Sequence, residues 1–497
     1  MYVLNTVNKC NYLKLIFIFG IAALFLAVCS KSSFLYPLND WVDSNCFFTV
    51  ARSLVNGEVL YKDIYEQKGP LLYFIHSVAY LLVPNSFAGV YIVEVISFGM
   101  FLFFAYKCSL LYVGSEKISV FIVPSLAVAI LTSSSFSHGD SVEELSLVFL
   151  MYSLYTVMKA LKSNVFLRKK EIILNGICVA CVFWMKYTIL GFYIGLIIFV
   201  MIWYVAGNKV KELWDVITHF LIGFFIITIP VLLYFLITHS IYDLFETYFY
   251  NNLFIYSVKS ETNKIVMILN AMKNTMFSNK ALFFFVLVGF IDFAINRKKE
   301  FVALLISFVG LSIGTYWGGV TYIYYGLIFS VFSTFGIISV LKIISKNVHL
   351  GKRIRYTILL SVVCCGMLGV CFILSQNVYL MQYEQEEMPQ YKFAKKMNEV
   401  KDASMLNYGF LDGGFYLAAD ILPNCKFFCT LNIPLKEMKE EQTSYIEEGK
   451  GDFVVTRDLR LEETEIDSSK YRCVGQESFY FDGKNYVYYL YEHVKHL

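Results

Sequence analysis

The chain has 497 residues, 57% hydrophobic and only 16% charged, with a mean hydropathy of +0.58. No compact water-soluble domain covers that much apolar surface, so the composition excludes an ordinary globule and points to an α-helical polytopic membrane protein. A formal net charge of +3, with Lys and Arg dispersed among loops, gives no basis for a nucleic-acid partner. Aromatic residues at 18% suit interfacial belts, although an AT-rich coding sequence would enrich the same residues.

Lys9 and Lys14 precede an apolar run from Leu15 to Cys29, readable as a first transmembrane helix or a secretory signal. Its end, "LAVC", approaches a lipoprotein cleavage box, but Val28 stands where such a box wants Gly, Ala or Ser, so a retained span is expected.

The first polar interruption follows, from Asp40 to Pro70. Within it Val42, Cys46, Phe47, Val50, Ala51, Leu54 and Val55 recur at helical spacing, with Asn45, Thr49, Arg52 and Ser53 between them. A short amphipathic helix is predicted, with Asp43 at the N-cap position and Gly57 as the C-terminal stop. Asp43 is then either a plain cap or a carboxylate held at the bilayer boundary toward a substrate.

The apolar piece Pro70 to Val83, closed by Pro84 and Asn85, is shorter than the about 20 residues a span needs, so it is expected to lie at the interface. Later spans are expected at about Phe87 to Val113, Ile118 to Ser133, Leu145 to Met158, Ile172 to Met185, Ile189 to Val205 and Val216 to Ile237. Four more follow at Ala281 to Ile295, Phe301 to Trp317, Ile323 to Leu341 and Tyr356 to Leu374.

With Pro70 to Val83 lying flat, the basic clusters all fall on one side. They are Lys9 and Lys14; Lys117; Lys159 to Lys170; Lys209 and Lys211; Arg297 to Lys299; and Lys342, Lys346, Lys352, Arg353 and Arg355. By the positive-inside rule that side is the cytoplasm. The expected topology is about eleven spans in the cell membrane, N-terminus in and C-terminus out. Residues 31–86, the loop Ser133 to Glu144, the loop His239 to Lys280 and the tail are then outside.

From Gln376 the composition turns polar and mixed, and "SMLNYGF", "DFVVT" and "FYFDGKNYVYYLY" read as strands around helix-like "YKFAKKMNEV" and "LKEMKEEQTSYIEEG". The predicted division is a membrane domain over 1–375 and a small extracytoplasmic α/β domain over 376–497. Most cysteines sit in apolar runs and read as small hydrophobes; Cys178 and Cys181 are a C-x-x-C by count only, inside a span. Cys425, Cys429 and Cys473 could include one disulfide, with the pair left open. Gly191/Gly195 and Gly310/Gly314/Gly318 read as close helix packing.

The chemistry-bearing residues gather on the outer side. Asp40 and Asp43 lie in the first loop, and Asp140, Glu143 and Glu144 in "HGDSVEE" of the second. Lys186 follows an unbroken "CVACVFWM", where a lysine either snorkels to the interface or waits for a lipid phosphate, and Lys68 in "EQKGP" has the same two readings. His138 beside Asp140 is weak as a metal ligand, and no P-loop, G-x-S-x-G elbow or H-E-x-x-H zinc motif occurs.

Asp43, Arg52, Gly57, Tyr61 and Lys68-Gly69-Pro70, with a short interfacial helix and a second acidic loop after two spans, resemble the membrane glycosyltransferases of the GT-C fold. The pattern is similar to the lipid A aminoarabinose transferases, the protein O-mannosyltransferases and a broad bacterial group related to dolichyl-phosphate-mannose-protein mannosyltransferases. It departs from the first of these at Ser44 and Cys46, where those enzymes place Glu and Arg.

The resemblance implies a sugar transfer from a polyprenyl-phosphate donor to a lipid, glycan or protein hydroxyl. It implies Asp43, with Asp40 as substitute, and Glu143 or Glu144 as catalytic acids. It implies Lys68 and Lys186 on the phosphate, and Arg52, Tyr61 and Asp140 among the substrate-binding groups. A monophosphate leaving group matched by lysines implies no cofactor and no obligatory divalent ion. The competing class is a transporter or lipid-linked glycan flippase. A glycan polymerase or ligase ranks lower, because the His239 to Lys280 loop is poor in Arg.

Overall fold

The computed structural model describes residues 2–256, 263–348 and 353–496, and of residues 2–11 and 353 the backbone alone. Lys352 of the last basic cluster and the 257–262 part of the predicted third outer loop lie outside the described residues. Among the described residues, eight helices are long and apolar enough to cross a membrane, from Tyr12–Cys29 to Ile354–Leu374. The chain is a multi-pass membrane protein.

Eleven spans were expected, and each of those runs contains a helix. Three fall short of the about 20 residues of a full crossing: Ile122–Leu131 has 10 residues, and Lys169–Met185 and Lys280–Asn296 have 17 each. The last of these meets Lys264–Ser278 at an angle of 108°, and counting that bent pair as one broken span gives nine. The predicted third outer loop is therefore mostly helical, since it also contains Ile241–Leu244 and a π-helical turn over Phe245–Ile255. No Pro or Gly causes the bend. Asn279 sits at it, its Oδ1 accepting from the Ser135 N–H at 3.1 Å and its Nδ2 donating to Ser135 Oγ at 2.8 Å. The Asn279 side chain thus ties the break to the loop that holds Ser135.

Two compact units divide the chain: Met1–Ser30, Tyr91–Pro230 and Val258–Gln376 form the first, and Lys31–Val90, Val231–Ser257 and Asn377–Leu497 the second. The loop after the first helix thus belongs with the tail.

In the first unit the predicted glycine contacts are real for four of five positions. A methyl group on Gly191 would collide with Gly310 O, one on Gly195 with Ile306 O, and one on Gly314 with Thr188 O, so the Leu190–Ala206 and Lys298–Tyr316 helices touch backbone to backbone. Gly318 has open space around it and takes no part. Gly310→Ala is expected to destabilise the protein by about 1–3 kcal/mol through overpacking. Gly318→Ala should leave the melting temperature in detergent unchanged, and equal shifts in the two variants would refute the close approach.

The second unit holds a four-stranded mixed sheet of β1 (Met405–Tyr408), β2 (Phe453–Arg457), β3 (Tyr471–Phe481) and β4 (Lys484–His493), in the order β1-β2-β4-β3. β1 and β2 run parallel, which requires a crossover, and the Lys436–Glu447 helix lies in it. The other pairs are antiparallel. β3 and β4 are joined by Asp482-Gly483, both at positive φ (48° and 85°), the signature of a two-residue hairpin turn. Leu406, Ile446, Val454, Leu461 and Tyr491 form the core beneath the sheet.

The same unit contains the predicted amphipathic helix, Val42–Val55, and the short apolar helix Pro70–Leu82, which starts on Gly69 with Pro70 in the first turn. Leu72, Tyr73, His76 and Ala79 of the latter are buried, while Val78, Leu81 and Leu82 on the other side are exposed and apolar. Such a helix suits a lipid boundary better than water. Asp43 is not the cap of the Val42–Val55 helix. Trp41 holds that place, with its N–H bonded to Asn39 Oδ1 at 3.1 Å, and Asp43 stands inside the first turn.

Candidate active site

The predicted site residues fall into two groups, one in each unit. In the second unit the segment between the Val42–Val55 and Pro70–Leu82 helices is short and unusually well bonded. Tyr61 is buried at φ +67°, a rare conformation for a bulky side chain, stacks on Phe235 at 5.6 Å, and donates its hydroxyl to Lys68 O at 2.5 Å. Asn252 Nδ2 donates to Gln67 O at 2.8 Å, and Asn251 Nδ2 to Tyr65 Oη at 3.1 Å. Lys68 is held from both sides by these bonds. Its ammonium lies 3.6 Å from Glu66 Oε1 and 5.5 Å above the Phe47 ring, with the side chain 17% exposed.

Glu66 is the residue the sequence reading missed. It is buried, accepts from the Tyr73 hydroxyl, and accepts the Lys68 N–H at 2.9 Å. Burial pushes its carboxyl above the ordinary value; Lys68 opposes that shift and the Asp43 charge adds to it. A raised folded-state value means that Glu66 contributes stability fully below about pH 4.3, the free glutamate value, and that this contribution is lost as pH rises through the folded value. Glu66→Gln, which keeps an acceptor for Tyr73 and for the Lys68 N–H, is expected to flatten the fall in melting temperature with rising pH. Parallel curves for the two proteins between pH 4 and 8 would refute the burial of an ionisable group there.

Asp40 and Arg52 are committed to partners within the second unit. Buried Lys31 pairs with Asp40 Oδ1 at 2.7 Å and with Asp482 Oδ1 of the hairpin turn at 2.8 Å. Arg52 is buried too. It donates through Nη1 to Tyr416 O at 3.1 Å and through Nη2 to Asp420 Oδ1 at 2.5 Å. One turn earlier, Thr49 Oγ1 donates to Asp412 Oδ2 at 2.6 Å. Asp412 is buried and also accepts from Gly414 N at 2.9 Å; burial pushes its carboxyl up, against the pull of these bonds. Asp43 is half-buried, in a helix turn whose amides lack intrahelical partners.

In the first unit, Lys186 Nζ and Glu143 Oε1 form an ion pair at 2.6 Å, with side chains 11% and 1% exposed. Lys186 breaks the helical run: it is extended between Lys169–Met185 and the turn Tyr187–Ile189, and its ammonium lies 3.7 Å from the centre of the Tyr325 ring. A lysine at such a break reaches its partners without crossing a helix face. Glu144 is buried in the first turn of Val142–Ser163, where Ser141 Oγ caps its N–H at 3.0 Å.

Asp140 is buried at φ +55° and donates its N–H to Glu94 Oε1 at 2.9 Å. Glu94, also absent from the sequence reading, is a buried acid within the Ala88–Tyr112 helix that accepts from Ser30 Oγ at 2.8 and 2.9 Å. Gly139, at φ +92°, is tightly enclosed, and a methyl group there would strike Ser30 Oγ and Glu94 Oε1. His138 Nδ1 lies 2.7 Å from Ser137 Oγ. Among the described residues, no three His, Cys, Asp or Glu side chains converge to hold a metal ion.

This architecture of apolar helices, a polar loop with two short helices and a small mixed sheet is the GT-C-like fold of polytopic membrane glycosyltransferases. Two solved structures carry it across nearly their whole length, both of ArnT, the lipid A aminoarabinose transferase, from Cupriavidus metallidurans. The undecaprenyl phosphate complex matches with a TM-score of 0.60 at 11% identity, over 95% of this chain and 97% of that one. The apo state matches with a TM-score of 0.59 at 9% identity, over 97% and 98%. At such identities the likeness is one of fold. No protein-family model and no curated protein matches the chain.

Proposed function

We propose that the protein is a glycosyltransferase that moves a sugar from a polyprenyl-phosphate donor to an acceptor hydroxyl on the outer face of the cytoplasmic membrane. The observation that carries this reading is the near-complete fold match to an ArnT bound to undecaprenyl phosphate. Two lysines support it, each set beside a buried carboxylate: Lys68 by Glu66 and Lys186 by Glu143.

In the proposed reaction, the acceptor oxygen attacks the anomeric carbon as the carbon–oxygen bond to the phosphate breaks. Asp43 takes the hydroxyl proton, and the departing polyprenyl phosphate carries the negative charge to a lysine, Lys68 in the unit that holds Asp43; Lys186 is the candidate cation of the other unit. The configuration at the anomeric carbon inverts. Arg52, bound to Asp420 and to carbonyl oxygens, positions the Asp43-bearing helix within its unit. Asp140, Glu144 and Tyr61 shape the substrate-binding loops through the contacts described above. Lysines replace a divalent ion in neutralising a monophosphate.

The test supplies membranes with a polyprenyl-phosphate sugar and measures both sugar incorporation and lipid translocation in one vesicle preparation. Incorporation that survives a chelator is expected. Translocation without incorporation would replace this reading by a flippase, and loss of incorporation with chelator would overturn metal independence.

A further inference from the structure

Cys46 and Cys429 lie with their Sγ atoms 3.7 Å apart, although 383 positions separate them in the chain. Both belong to the second unit, and each is 1% exposed. The backbone around Cys429 is fixed on both sides: Asn407 donates its N–H to Phe428 O at 3.2 Å, and Thr430 donates its N–H to Phe410 O at 2.9 Å. The helix carrying Cys46 is fixed by Thr49 on Asp412 and by Arg52 on Asp420. The two sulfurs are therefore held face to face by bonds that do not involve them. Cys425 and Cys473, the other tail cysteines, are only partly buried and pack against the core beneath the sheet.

We propose that Cys46 and Cys429 are joined by a disulfide in the mature protein, stapling the Asp43-bearing helix to the C-terminal domain. This rests on the outer placement of the second unit in the proposed function, because disulfides persist in oxidising compartments. The bond forms by exchange. One thiolate attacks the disulfide of a thiol oxidase, giving a mixed disulfide, and the second thiolate displaces it. The protein's two thiols lose two electrons and two protons, and the oxidase disulfide becomes a dithiol.

The step belongs to folding and is not a reversible switch. Burial, more than any neighbour, raises both thiols above their ordinary values in the folded chain, which leaves little thiolate to exchange. The staple also acts one helical turn from Asp43, which sits three positions before Cys46 on the same side.

The experiment uses the full-length protein in native membranes. Samples are acid-quenched, denatured, alkylated without reductant and digested, and the peptides are read by mass spectrometry, while the accessibility of the tail to added protease is measured on intact cells. A peptide pair linked through Cys46 and Cys429 that disappears on reduction is the expected result. Alkylated Cys46 and Cys429 in protein whose tail is digested from outside would overturn the disulfide alone. Alkylated cysteines with a protected tail would overturn the outer placement as well. Linkage of Cys429 to Cys425 or Cys473 would also overturn the pairing.

Discussion

Asp43→Asn is expected to lower sugar transfer by about 10²- to 10⁴-fold, the usual contribution of a general base, with little change in melting temperature. Asn keeps the size and most of the hydrogen-bonding capacity of the side chain, and Asp43 is neither the helix cap nor deeply buried. What it loses is the charge with which, in the proposed reaction, the side chain accepts the proton of the attacking hydroxyl. Asp40→Asn provides the contrast. Its carboxylate is paired with buried Lys31, so that variant should lose stability through an uncompensated ammonium, partly relieved by Asp482. Transfer by Asp43→Asn at the wild-type rate would remove Asp43 from the mechanism.

Lys186→Met should be the most destabilising single change, by about 3–5 kcal/mol, because it strands Glu143 as a buried charge without its partner. The double variant Lys186→Met/Glu143→Gln removes both charges and should recover most of that loss, since two neutral groups of similar volume cost little to bury. It should not recover transfer, because the proposed phosphate contact is gone. Melting temperatures and incorporation assays on the two single variants and the double variant separate these effects. If the double variant is as unstable as Lys186→Met, the pair is not the source of the loss. If it transfers sugar normally, Lys186 has no place on the phosphate.

Periodicity and length made much of the fold legible. The apolar runs, the Val42–Val55 helix with its stop at Gly57 and the strands β1, β2 and β4 of the tail could be read from spacing and turn residues, whereas most of β3, Tyr471–Ser478, lies ahead of the stretch that reads as a strand. The Asp43 cap was misread because the acceptor that closes the helix start comes from Asn39, four positions upstream of Asp43, and bonds the Trp41 N–H. The bend at Asn279 left no trace in the pattern, and the partner of that side chain, Ser135, lies 144 positions away.

The same distance hid much of the candidate site. Arg52 reads as a free cation near the membrane until Asp420, 368 positions on, is brought to it. Glu66 looks like one more loop charge beside Lys68; only Tyr73, one helical turn into the next helix, shows that it is buried. Glu94 is a single acid in a long apolar run without periodic signal, and its partners come from the end of the first helix and from a distant loop. Lys186 and Glu143 were each legible as out-of-place charges, but their pairing was not, being a contact between one helix and the break that follows another.

Enclosed Gly139 has a consequence for recognising other chains of this fold. Any side chain at that position would meet both the hydroxyl of Ser30 and the carboxylate of Glu94, so a larger residue there requires those two to change or move. In another chain of this fold, a serine closing the first helix, an acid inside the long helix that follows the short apolar one and a glycine just ahead of the Asp140 position would, found together, mark the same enclosed corner where whole-chain resemblance is too faint to align.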